Sequence, residues 1–85
     1  MIQDIIILFT SYYFADKTDK VLTKENIDHK LMATPVELSE ICGLCVRIKP
    51  VLLIQTLEIL KQYKISYSGI YTYEKGKPCE KIENT

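Results

Sequence analysis

The chain lacks most of what an independent catalyst is built from. It has one histidine, His29, and no candidate for a nucleophile-base-acid triad. Its three glycines, Gly43, Gly69 and Gly76, stand far apart, so no glycine loop can cradle a phosphate and no dinucleotide fingerprint is present. It lacks an excess of charge: 11 basic and 11 acidic residues cancel, and with no basic stripe visible, binding to nucleic acid or an anionic membrane has no electrostatic footprint. It lacks a long apolar run. The first, Ile5 to Phe9, is far too short to span a bilayer. No basic leader or small-residue cleavage site marks a signal peptide. It also lacks an even cysteine count. Three cysteines without a secretory signal suit the cytoplasm, where thiols more often bind metal or do chemistry than form structural disulfides. These absences lead us to expect a cytoplasmic, cofactor-free protein that is not an enzyme in its own right.

What is present makes one small folded domain. Apolar residues form 47% of the chain, enough for a core, although a chain of this size buries only about 60–65% of its unfolded surface. Asp4 to Phe9 (DIIILF) reads as a buried strand. Ser11 is a plausible N-cap for a helix over Tyr12 to Glu25, with Phe14, Thr18, Val21 and Leu22 on one face and Lys17, Lys20 and Lys24 toward the other. Asn26 stops it. Asp28 to Met32 is a weaker strand, and Ala33 to Ile41 a loop in which Pro35 can open a short helical turn. Gly43 to Lys49 alternates as a strand should. Pro50 starts a second helix to Tyr63 with Leu53, Leu57 and Leu60 inward, and Ile65 to Tyr73 closes the domain as a strand. The order β-α-β-β-α-β predicts an α+β, ferredoxin-like sandwich: an antiparallel sheet with two helices on one face and the other face open, available to a homodimer partner. The domain spans residues 1–74, followed by a mobile charged tail over residues 75–85 that carries Cys79.

The chemistry concentrates in ICGLCVRIKP, Ile41 to Pro50. Alternation sends Leu44, Val46 and Ile48 toward the helices and Cys45, Arg47 and Lys49 to the opposite face. Cys42 ends the preceding loop. Gly43 beside it permits a positive-φ kink and close approach of another molecule to the sulfur. A free cysteine is only a few per cent thiolate at neutral pH, and a nearby cation such as Arg47, or donors such as Thr34 and Ser39, would raise that fraction. Four readings stand side by side: a reactive thiol, an inert small apolar residue, a redox C-x-x-C, and a zinc ligand. For the redox reading, three extended residues separate the Cys42 and Cys45 Cα atoms by roughly 10 Å, beyond the roughly 4.4–6.8 Å of a disulfide unless Gly43 turns sharply. For zinc, Cys42, Cys45, Cys79 and His29 make a Cys3His set, but there is one C-x-x-C rather than two, and an antiparallel pairing puts His29 at the far end of the strand from Cys42. No metal is therefore expected. In the last strand, Tyr67, Tyr71 and Tyr73 share one side. Such a row can stack RNA bases, but the charge balance and the missing glycine-aromatic pattern favour core packing or a dimer surface.

From about Ile6 to Tyr73 the chain resembles the small selenium/sulfur carrier-like family. The resemblance is carried by FTSYYFADKTDKVL, by TPVELSEICGLCVRI and by YKISYSGIYTYE, the middle piece being the most specific. It implies that Cys42 is the thiol that holds sulfur or selenium as a persulfide or perselenide, with Gly43 its structural companion. Thr34, Pro35, Ser39 and Arg47 fall where the family's motif has similar residues, and Cys45 is a neighbour able to resolve the persulfide. Ala33 stands where a proline is common, and Tyr12 where a threonine is usual. The implied partners are sulfur or selenium donor and acceptor proteins. The alternatives are a non-catalytic regulatory module that binds a small molecule or a protein, and a C-x-x-C thiol redox protein.

Overall fold

The structure, a computed structural model, describes residues 3–38 and 43–82. Its elements run β1 (Asp4–Phe9), α1 (Tyr12–Lys24), β2 (Lys30–Ala33), β3 (Leu44–Ile48), α2 (Leu53–Gln62) and β4 (Tyr67–Tyr73), with 3-10 turns at Val36–Leu38 and Pro50–Leu52. The four strands form one antiparallel sheet in the order β2-β3-β1-β4. The α+β class and the element order match the sequence reading. The differences are local: β2 begins two residues later than expected, and the residues after Pro50 make a 3-10 turn before α2 begins.

Three of the four α-helix boundaries have a local cause. Ser11 is extended (φ −159°, ψ 162°) and its Oγ accepts from the Phe14 N–H at 3.4 Å, the N-cap geometry. Both helices end the same way. Asn26 and Lys64 adopt positive φ (59° and 57°). Ile27 N–H then reaches back to the Leu22 carbonyl and Ile65 N–H to the Leu60 carbonyl, each at 2.9 Å. This backbone closure is commonly made with glycine. Here its hydrophobic contact, Ile27 beside Leu22 and Ile65 beside Leu60 in the core, holds non-glycine residues in the left-handed region.

Both helices cover one face of the sheet. Ile5, Ile7 and Phe9 of β1, Val46 and Ile48 of β3, and Ile70 of β4 meet Ala15, Val21 and Leu22 of α1 and Ile59 and Leu60 of α2. Leu44, Leu53 and Leu57 pack at the margin of this core, as their spacing predicts.

The second face is not open, which corrects the sequence expectation. Ile6 and Cys45 are fully buried and Leu8 nearly so, under Met32, Leu38, Tyr71, Tyr73 and Cys79. The cover comes from this same chain. After β4 the backbone turns at Glu74–Lys77, with Gly76 at φ +85°, where a side chain would be strained. It then runs back antiparallel along β4: Thr72 N–H donates to the Glu80 carbonyl and Ile82 N–H to the Ile70 carbonyl, both at 2.8 Å. The free edge of β4 is thereby paired, Cys79 lies on the second face, and Ile82 joins the helix-side core.

The tyrosine row is corrected too. The β1–β4 register slips between Leu8 and Phe9, where Phe9 pairs with Tyr67 but Leu8 pairs with Gly69. Ser68 is the extra residue of a bulge. Tyr67 therefore packs on the helix side, while Tyr71 and Tyr73 pack on the second face.

Double burial of β1 makes a quantitative prediction. Ile6→Ala should destabilise the protein by about as much as Ile7→Ala, roughly 2–5 kcal/mol each, read from urea unfolding midpoints at constant m. A cost for Ile6→Ala of only a fraction of the Ile7→Ala cost would mean that the second face is solvated.

Candidate functional site

Three segments converge at the N-terminal end of β3. The first is β2 and its continuation. Thr34 N–H donates to the Gly43 carbonyl at 2.9 Å, carrying the β2–β3 ladder one residue past Ala33 and Leu44. Pro35 then opens the expected turn, its carbonyl accepting from Leu38 N–H at 2.8 Å. The second is the start of α1. A Cβ built on Gly43 would stand 2.9 Å from Tyr12 Oη, too close to fit without displacing the phenol. Gly43 thus lacks a side chain where a tyrosine hydroxyl approaches the backbone. The third is the returning tail, whose Cys79 N–H donates to Glu37 Oε2 at 3.1 Å.

The loop that leaves the Val36–Leu38 turn and re-enters at Gly43 is therefore fixed at both ends. Cys42 and Ser39 lie in that loop, outside the described residues. Of the other residues singled out in the sequence, Thr34, Pro35 and Gly43 are brought together here. Thr34 is buried, and its Oγ1 has no hydrogen-bond partner among the described residues.

Cys45 and Arg47 are placed differently. Cys45 is fully buried against Ile6 and Leu8, with its Sγ 4.0 Å from the Ala33 carbonyl oxygen. Arg47 lies four residues along the strand from Gly43, roughly 13 Å away. Its Nε donates to Asp4 Oδ2 at 2.5 Å, and its guanidinium carbon sits 4.9 Å over the Tyr73 ring. This clamps β3 to β1 and β4, because Ile6 pairs with both Arg47 and Tyr71 in the ladder. His29 is at that same far end, its Nδ1 2.7 Å from the Ile27 carbonyl and its Nε2 2.8 Å from Asp19 Oδ1. The Cys3His set is thus split between opposite ends of the sheet: His29 precedes Lys30, which pairs with Arg47, while Cys79 sits by Glu37.

Sequence reasoning missed Tyr12 and Glu37. Tyr12 follows an N-cap, which fixes its backbone but not where its ring reaches. Glu37 had no visible partner because Cys79 is 42 residues away.

Cys79 has a distinct electrostatic setting. Partial burial, and then the negative charge of Glu37, push its thiol pKa up. Cys79 should alkylate more slowly than a free thiol at neutral pH, with a rate still climbing above the usual cysteine pKa. Glu37→Gln should move that profile to lower pH in iodoacetamide kinetics followed by peptide mass. An unshifted profile would remove Glu37 as a cause.

A family model described as "Putative Se/S carrier protein-like" matches residues 4–72. No curated protein matches the chain, and no solved structure does. The family match runs from the first residue of β1 almost to the end of β4, and takes in both helices and the whole Thr34–Gly43 loop. The chain belongs to this Se/S carrier protein-like family.

Proposed function

We propose that this family member carries sulfur or selenium on Cys42, and that it is a carrier between a donor and an acceptor protein in the cytoplasm rather than an independent catalyst. The observation that carries the reading is the family match across residues 4–72, with the Cys42-Gly43 pair inside it. The strand order β2-β3-β1-β4, with a helix after β1 and after β3, is read here as a ferredoxin-like sandwich. The Cys42 thiolate attacks the terminal sulfur of a donor persulfide. An S–S bond forms at Cys42, the donor's S–S bond breaks, and the donor leaves as a thiolate with the electron pair. Nothing is oxidised or reduced overall, so no further reactant is needed.

The described neighbours of Gly43 support a thiol that ionises at the adjacent Cys42. The first turn of α1 contains no acidic residue to offset its positive end, and Tyr12 from that turn reaches Gly43, the residue next to Cys42. This reading assigns the Tyr12 hydroxyl beside Gly43 and the unpartnered Thr34 hydroxyl as donors to the sulfur, with Ser39 a third from the sequence, and Pro35 opens the turn. Arg47 is assigned to the sheet, through Asp4 and Tyr73. Cys45 is fully buried against Ile6 and Leu8, which favours a packing role for it over that of a solvent-accessible redox thiol. Cover of the second face by the tail leaves less apolar surface there for pairing two copies.

The test is intact mass after the reduced protein is incubated with a cysteine desulfurase and cysteine. The parent should gain one sulfur atom, lost again on reduction, and Cys42→Ser should gain none. Equal gain by parent and variant would move the thiol elsewhere. No gain by either would favour the regulatory binding module.

A further inference from the structure

The chain is neutral overall, yet α1 gathers its charge unevenly. Tyr13, Lys17, Lys20 and Lys24 recur at intervals of four, three and four residues, so they form one stripe about 16 Å long at 1.5 Å per residue. They border a groove against α2, floored by Val21 and closed by Tyr63. Asp16 shares the lining, and the Tyr63 hydroxyl donates to Glu25 Oε2 at 3.1 Å, so three lysines stand against two carboxylates at this groove.

Within the stripe the cations differ. Lys20 is bound to Asp16 at 2.8 Å, and that carboxylate raises its pKa. Lys17 and Lys24 have no carboxylate within ion-pair distance among the described residues. Lys17 Nζ lies 5.8 Å from the centre of the Tyr13 ring. Tyr13 is 65% exposed, a large apolar surface left in water at the end of α1 nearest Gly43. Its neighbour Tyr12 is the residue whose hydroxyl approaches Gly43. The groove therefore begins at the end of α1 whose first residue, Tyr12, approaches Gly43.

We infer that this groove docks an acidic peptide segment of a partner protein, its carboxylates on Lys17 and Lys24 and an apolar side chain between Tyr13 and Tyr63. Complementary charge selects the occupant. Lys17 and Lys24, which form no ion pair among the described residues, stand close to Asp16 and Glu25, and so suit a few spaced carboxylates. They do not suit a nucleic-acid backbone, which carries a charge about every 1.7 Å and calls for a larger basic footprint. That this partner is the one exchanging sulfur or selenium at Cys42 rests on the carrier reading; the docking itself does not.

The experiment is an amide-shift titration of the full chain with a short peptide of glutamates around one phenylalanine. Its controls are the same peptide with lysine for glutamate, and oligothymidylate. The acidic peptide should give saturable shifts on residues 13–24 and 63, weakening as salt is raised. Lys17→Glu with Lys24→Glu should weaken binding about tenfold or more. The milder Lys17→Gln with Lys24→Gln pair, in case charge reversal unfolds the helix, should weaken it about threefold to fivefold. Absence of saturable shifts, shifts elsewhere on the molecule, indifference to both variants, or tighter binding of oligothymidylate would each overturn the inference. The titration reads no sulfur transfer. A parent that binds peptide but gains no sulfur on mass analysis loses the carrier reading alone, and one that gains sulfur without binding peptide loses the docking inference alone.

Discussion

Everything in this fold follows from the need to bury β1 on both faces. Five of its six residues are buried, and in alternation Ile5, Ile7 and Phe9 face the helices while Ile6 and Leu8 face away. At about 25 cal/mol per Å2 of apolar surface, a solvated Ile6–Leu8 face would forfeit several kcal/mol. A chain this small has little to spare. Two helices can cover only one side. The other has to be closed by something else, and the chain uses its shortest pieces: Leu38 from the turn after β2, Cys79 from the returning tail, and tyrosines from β4.

That second cover is what positions the candidate site. The residues that close the face are the ones that flank the Cys42 loop. Leu38 ends the turn from which the loop departs, and Glu37 beside it holds the tail through the Cys79 N–H. Gly43, at the other end of the loop, is fixed by Thr34 and approached by Tyr12. The loop's two ends, Leu38 and Gly43, are thus set by a turn and a strand that pack on the sheet, and Cys42 stands between them in the sequence. Cys45, three residues on, faces into the same cover and is closed off by it.

Much of this was legible in the sequence. Period-two alternation in LCVRI assigned every side chain of β3 to the correct face. Ser11, Asn26 and Pro35 marked their boundaries because capping and turn chemistry is local. The run DIIILF holds more information than a strand with one buried face requires. A strand apolar at consecutive positions is covered on both sides, which an open second face contradicts. The remainder was out of reach for physical reasons. The Ser68 bulge moves Tyr67 to the helix side without any marker stronger than a nearby glycine. The tail is charged and reads as solvated, yet backbone hydrogen bonds to the β4 edge hold it whatever its side chains are. The Arg47–Asp4 and Glu37–Cys79 contacts join residues about forty positions apart, and no periodicity reports such pairs.

The most direct measurement of this account is the alkylation rate of Cys45, mapped by peptide mass, in the full chain and in a chain ending at Tyr73. The account predicts slow labelling of Cys45 in the full chain and labelling at least about tenfold faster once the tail is gone, with helical circular dichroism retained. Equal and rapid labelling in both would contradict it, because the second face would then be open and β1 would not be the doubly buried strand on which the site is mounted.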